Sequence, residues 1–329
     1  MNRSELRDTL AGLILGGELA LTSAEVVEKG GLTLDEGQRL WRALGFPDTG
    51  DSVAYGDADV RAVSIVAAAI ETGVLDEKTA FRMTRALGHT VSRLADWQVS
   101  TLVEQVEHDV EDGKSGSRLQ AAVDLATTAA PGFEELIIYA WRRHLAAAAA
   151  RSEARGAADE ELLSTVMTVG FADLSRFTSL SNHLDDSSLA TLVEDFETRC
   201  ADIVTTHGGR VIKTLGYAVL FVTDTATAGP RTSLDIVRQI GSRDELPDIR
   251  VGMATGSVIS RLGDVFGPPV NLAARLSHVA RSNRVLIDDT TAASLGDEFD
   301  LRTLPPRPLR GFGNVSPITV SERRGFRSR

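Results

Sequence analysis

Three stretches of this 329-residue sequence carry polar side chains whose types and spacing could do chemistry. "VGFADLSRFT" (169–178) places Asp173 at the end of an apolar run that reads as a strand, just before residues that open a helix. A carboxylate is the hard oxygen donor that magnesium prefers, and free N–H groups at a helix start can cradle phosphate. A plain helix cap is the alternative for Asp173. "GPPVNLAAR" (267–275) starts a helix with prolines at its first turn. It sets Asn271 and Arg275 one helical turn apart, where a cap and a surface cation are the bland readings. Between them lies "GRVIKTLGYAVLFVTD" (209–224), two apolar strands around Leu215-Gly216-Tyr217. Surface turns favour small or polar residues, yet a large aromatic follows this glycine. Lys213 in the first strand, and Asp264 beside Gly263 further on, read equally as a solvated lysine and a turn residue.

The other reactive side chains form no constellation. Histidines 89, 108, 144, 183, 207 and 278 lack metal-ligand spacing; His144 is either a pH sensor or a solvated helix residue. Cys200 is the single cysteine, so no intrachain disulfide is possible and a reducing, cytoplasmic setting is expected. A net charge of −11 argues against non-specific binding to nucleic acid or anionic membrane. The basic tail Arg323–Arg329 is the local exception, read as solvated. No apolar run reaches the roughly 18 residues of a bilayer span, and the acidic side chains within the first apolar pattern are unlike a signal peptide.

The elements that must position these residues fall into three parts. Residues 1–130 read as helices almost throughout, opened by a Ser4 cap, and form a helical domain without an active-site constellation. After Pro131-Gly132, residues 131–163 read as a long exposed connecting helix, rich in alanine and charge, that either transmits a conformational change or acts as a spacer. From Ser164 the order becomes β-α-β-β-α-β, the signature of an α+β ferredoxin-like sandwich with helices on one face of an antiparallel sheet. Leu189, Leu192, Phe196, Cys200, Ile203 and Val204 give its first long helix one apolar face.

Taken in order, "VGFADLSRFT", "IKTLGYAVLF" (212–221), "RVGMATGSV" (250–258) and "GDVFGPPVNLAAR" (263–275) resemble the class III adenylyl/guanylyl cyclase homology domain, with "LRGFGNVSPITV" as its last strands. The resemblance covers about residues 164–322. The helical half more loosely resembles the regulatory domain of soluble actinobacterial adenylyl cyclases. It implies attack of a ribose 3′-hydroxyl on the α-phosphorus of ATP with loss of pyrophosphate, aided by two Mg2+ or Mn2+ ions. It implies composite sites at the interface of a homodimer. Asp173 matches the first metal-binding aspartate; Phe177 and Thr178 follow it beside the substrate. Lys213 and Asp264 match the pair that reads adenine, Asn271 the residue that positions the ribose, and Arg275 the one that neutralises charge at the phosphate.

One position departs from the pattern. The second metal aspartate of the family follows the turn glycine, where this chain has Tyr217. A phenol has a pKa of about 10, so it is neutral at pH 7 and a poor magnesium ligand. Losing about 4 kcal/mol of metal-derived stabilisation corresponds to ~10³ in rate. Three outcomes stay open: an adenylate cyclase of low or absent activity, a silent homologue acting as a sensor, or the adenine-binding half of a heterodimeric cyclase.

Overall fold

Two capping boxes fix the first helices of the chain. Thr22 and Glu25 bond reciprocally at the start of α2 (Ser23–Gly30), and Thr33 and Glu36 do so at α3 (Leu34–Leu44). Ahead of them, α1 spans Arg3–Leu15, so Ser4 lies inside its first turn and does not cap it. Helices α4 (Asp57–Glu71), α5 (Glu77–Glu111) and α6 (Arg118–Ala154) complete the unit. Its core gathers Val26, Leu40, Tyr55, Val63 and Phe81 around Trp41, whose indole stacks on Tyr55 at 5.1 Å and donates to the Ser23 hydroxyl.

The computed structural model describes residues 3–47, 49–154, 164–175, 177–241, 247–261 and 263–323. The chain divides into two compact units, Met1–Ala154 and Arg155–Arg329. Helix α6 runs without interruption through Pro131 and Gly132, where the sequence suggested a new beginning. The proline removes one helical N–H, but the turn before it is exposed, so solvent can satisfy the carbonyl left free. The remaining part of the expected connector, residues 155–163, and the tail beyond residue 323 lie outside the described residues.

The second unit begins with β1 (Ser164–Leu174), followed by α7 (Phe177–Ser181), α8 (Asp186–Thr206), β2 (Arg210–Thr214), β3 (Ala218–Thr223), α9 (Ala228–Gln239) and β4 (Ile249–Arg261). Strands β4-β1-β3-β2 are neighbours in that order and all antiparallel, which is the ferredoxin-like arrangement. After them come β5 (Asp264–Phe266), α10 (Pro268–Val279), β6 (Arg284–Ile287), α11 (Asp289–Ala293), β7 (Phe299–Thr303), β8 (Arg307–Leu309), β9 (Gly313–Val315) and β10 (Ile318–Glu322). These additions extend the sheet through β6, β10 and β7, with β5 folded back on β4.

Alternation along β1 and β3 divides the apolar side chains between the two faces of the sheet. Leu174, Phe221 and Met253 pack with Phe196, Cys200 and Ile236 of α8 and α9. Val169, Phe171 and Leu220 pack with Ala273 and its neighbours on α10, so this sheet carries helices on both faces. The contact of α10 with β4 is tight: a Cβ at Gly252 would lie 2.1 Å from the Ser277 nitrogen and 2.2 Å from the Ala273 oxygen. Gly252 therefore sets the distance at which α10 can carry its functional side chains. Gly252→Ala is expected to destabilise the protein by about 1–3 kcal/mol, read as a lower urea midpoint; an unchanged midpoint would show that α10 yields freely.

Candidate functional site

Asp173 sits near the end of β1, paired across the ladder with Arg250 of β4 and with Ala218 of β3. Its carboxylate is buried and accepts from Arg250 Nη2 at 2.5 Å through Oδ2 alone. The second oxygen, Oδ1, and the Arg250 Nε are both buried with no hydrogen-bond partner among the described residues. Burial pushes the Asp173 carboxyl above the usual range, and the charges of Arg250 and His278 offset part of that rise. Arg250 lies 77 residues away in sequence, and only strand register brings it here.

The tip of the β2–β3 hairpin stands beside this pair. Leu215 N–H donates to Ala218 O at 2.7 Å, and Gly216 takes a left-handed φ of +67° that closes the two-residue turn. Leu174 N–H donates to the Tyr217 carbonyl at 3.1 Å, which ties the tip to the end of β1. The Tyr217 ring stacks on Phe177, centroids 4.5 Å apart and planes 22° apart. This contact answers why an aromatic follows the glycine: the tip packs on α7. Helix α7 has a single turn, so the helix opening expected to cradle phosphate is only five residues long. Thr178 lies in α7, but its side chain is outside the described residues.

The remaining expected residues form two groups. Lys213 and Asp264, 51 residues apart, are in direct ion-pair contact, and Asp264 also accepts from the Val265 N–H at 2.8 Å. An irregularity in the β2 register between Val211 and Lys213 re-aims this strand just before the lysine. Asn271 and Arg275 line a cleft of about 640 Å3, together with Pro268 and the turn Arg310-Gly311-Phe312 that joins β8 to β9. Neither Arg275 nor Arg310 has an ion-pair partner among the described residues. A carboxamide and two guanidinium groups thus face one cleft, the side-chain types that can bond to anionic oxygens.

Arg250 and Arg310 were not singled out from the sequence. A strand arginine carries no local signal, whereas Arg310 stands in the quoted "LRGFGN" turn, where an arginine against glycine was the available clue. Among the described residues, no hydrogen bond or ion pair joins the Asp173 group to the Asn271–Arg275 cleft within one chain.

Residues 163–320 match the adenylate and guanylate cyclase catalytic domain. An adenylate cyclase of Streptomyces coelicolor is 36% identical over an alignment covering 96% of this chain and 90% of that protein. The chain belongs to the class III adenylyl/guanylyl cyclase family. An adenylate cyclase of Glutamicibacter nicotianae is 35% identical, covering 97% of this chain and 84% of that one. Among solved structures, the catalytic core of a rhodopsin–guanylyl cyclase with converted specificity, in complex with ATPαS, is 24% identical with a TM-score of 0.46. It covers 49% of this chain and 99% of that one.

Cyclase domains bind nucleotide and often act as dimers, and the family generally uses divalent metal ions. Tested against that use, the donors here divide. The unpartnered Asp173 Oδ1 fits as one oxygen ligand, whereas the aromatic Tyr217 supplies no carboxylate. Among the described residues, no cluster of three His, Cys, Asp or Glu side chains could complete a metal site. No described helix is long and apolar enough to cross a membrane.

The raised Asp173 carboxyl has a consequence for stability. A carboxyl whose folded pKa lies above its unfolded value of 3.8 favours the folded state when protonated and opposes it when ionised. Stability from this group is therefore lost as pH rises from about 3.8 through the folded value. Asp173→Asn is expected to raise the urea midpoint at pH 8 and to leave it unchanged near pH 3.5. A midpoint lowered at pH 8 would show that the Arg250 pair outweighs burial.

Proposed function

We propose that this chain is an adenylate-cyclase-type protein, converting ATP to cyclic AMP and pyrophosphate at sites shared between two chains, with little turnover of its own. The adenine preference is supported by one observation above the rest: Lys213 and Asp264 stand together, a cationic donor beside an anionic acceptor. That combination complements adenine, whose N1 accepts while its amino group donates. The adenylate cyclases at 36% and 35% identity support the same choice. Asn271 would orient the ribose, and Arg275 would oppose the charge that grows on the α-phosphate as the 3′-oxygen bonds and pyrophosphate departs. Phe177 and Thr178 would border the nucleotide beside Asp173.

Low turnover follows from Tyr217. Two Mg2+ or Mn2+ ions need anionic oxygens on both sides, and here a ring stacked on Phe177 occupies the second position. The helical unit of residues 1–130 would regulate the site through the helix beyond it, in a cytoplasmic protein. A second reading draws on the same asymmetry. With the Lys213–Asp264 pair and the Asn271–Arg275 cleft intact, the chain could complete a site whose metal carboxylates come from a different cyclase, as a heterodimer.

Cyclic AMP formation from ATP with Mn2+ tests the first reading. Tyr217→Asp is expected to exceed the unaltered protein by about 10³-fold, and adding Arg275→Ala to it should remove about 10²-fold or more of that gain. Equal rates for the unaltered protein and Tyr217→Asp would refute the metal account. A Tyr217→Asp protein without product would favour a silent sensor. For the second reading, product formed only on mixing with a cyclase that lacks the Arg275 equivalent is the expected sign.

A further inference from the structure

A cleft of about 580 Å3 lies between α1 and the start of α6, two helices that pack on each other in the helical unit. Leu6, the one buried residue of α1, is part of its lining. So are three arginines, Arg3 and Arg7 from α1 and Arg118 from α6, while no acidic or aromatic side chain is. Arg3 and Arg7 are four residues apart and so share one helix face, where like charges repel. Neither has a hydrogen bond or ion pair among the described residues. Arg118 meets Glu107 through its Nε alone, at 2.8 and 3.0 Å from the two carboxylate oxygens, which leaves both terminal nitrogens of its guanidinium for another acceptor.

Charge and shape together say what such a cleft would take. In a chain of net charge −11, a lining with three arginines and no carboxylate selects an anion and repels a cation. A monoanionic carboxylate would neutralise one guanidinium and leave the others facing it. A phosphate group carries up to two charges near neutral pH, and its oxygens match the guanidinium fork. The positive end of the α6 dipole, brought to the cleft by Ser117, Arg118 and Leu119, acts in the same direction. With no aromatic ring in the lining to stack a nucleobase, recognition falls to the phosphates, and the cleft has room for more than one of them. A ligand held from both helices would also tie down α1, which Leu6 alone anchors by burial.

We propose that the cleft between α1 and the start of α6 is a binding site for a soluble di- or polyphosphate anion, held by Arg3, Arg7 and Arg118. The site lies wholly in the helical unit and uses none of the residues assigned to the nucleotide. Its failure and the failure of the cyclase reading are separable, because the test locates a bound anion and does not measure turnover.

Hydrogen–deuterium exchange of the full chain with sodium pyrophosphate, at fixed ionic strength and without divalent cations, is expected to slow exchange in α1 by about tenfold or more. Calorimetry under the same conditions should show saturable binding. The double variant Arg3→Gln/Arg7→Gln should weaken that binding by about tenfold or more, since bonds to charged groups are the strong ones. Arg275→Ala should leave the effect on α1 in place, which separates this cleft from any binding of the same anion beside Asn271. Far-UV circular dichroism checks that the variants keep their helices. Exchange in α1 that pyrophosphate leaves unchanged overturns the proposal, as does equal affinity in the double variant. Sulfate that protects α1 as well as pyrophosphate does would reduce the cleft to the site of an adventitious ion only and overturn it. Vesicles of phosphatidylglycerol that protect α1 where pyrophosphate does not would assign the arginines to a lipid surface and overturn it too.

Discussion

The buried contact between Asp173 and Arg250 is the constraint around which the catalytic unit is arranged. A carboxylate deep at a strand end is costly unless it is paired, and Arg250 engages only one of its two oxygens. The pairing depends on β1 and β4 lying side by side in register over their length. It leaves one acceptor and one donor buried and unmatched, side by side. In most proteins such atoms are rare.

What stands beside that contact decides how well it can be used. The hairpin tip reaches the end of β1 through the Leu174–Tyr217 backbone bond, so residue 217 is held close to Asp173 whatever its identity. An acidic residue there would add the missing second anion. A tyrosine instead adds a ring that finds Phe177 and packs. On the proposed reading the tip has apolar contact where metal chemistry would want charge. The other expected residues show no such exchange: Lys213 and Asp264 are paired with each other, and Asn271 and Arg275 line one cleft.

Much of this was legible in the sequence because its signals are local. Gly216 between two apolar runs specifies a hairpin, Pro268 and Pro269 open α10, and Asn271 with Arg275 follow from helical spacing. The β-α-β-β-α-β core was legible from the alternation of elements, but not that α10 covers the sheet's other face. What the sequence hid depends on distant register or on tolerance. Arg250 gains its role only through β4 lying against β1, and Arg310 only because the β8–β9 turn closes over the start of α10. Pro131 reads as a break, yet an exposed turn absorbs its missing donor. The single turn of α7 was likewise not legible, since nothing in "SRFTS" says where a helix stops.

The most direct test of the metal account is to count ions. Electron paramagnetic resonance of Mn2+ titrated into the protein with a non-hydrolysable ATP analogue measures how many bind per nucleotide. The account predicts no more than one tightly bound ion per nucleotide in the unaltered chain and two in Tyr217→Asp. Two ions bound with equal tightness in both proteins would contradict it.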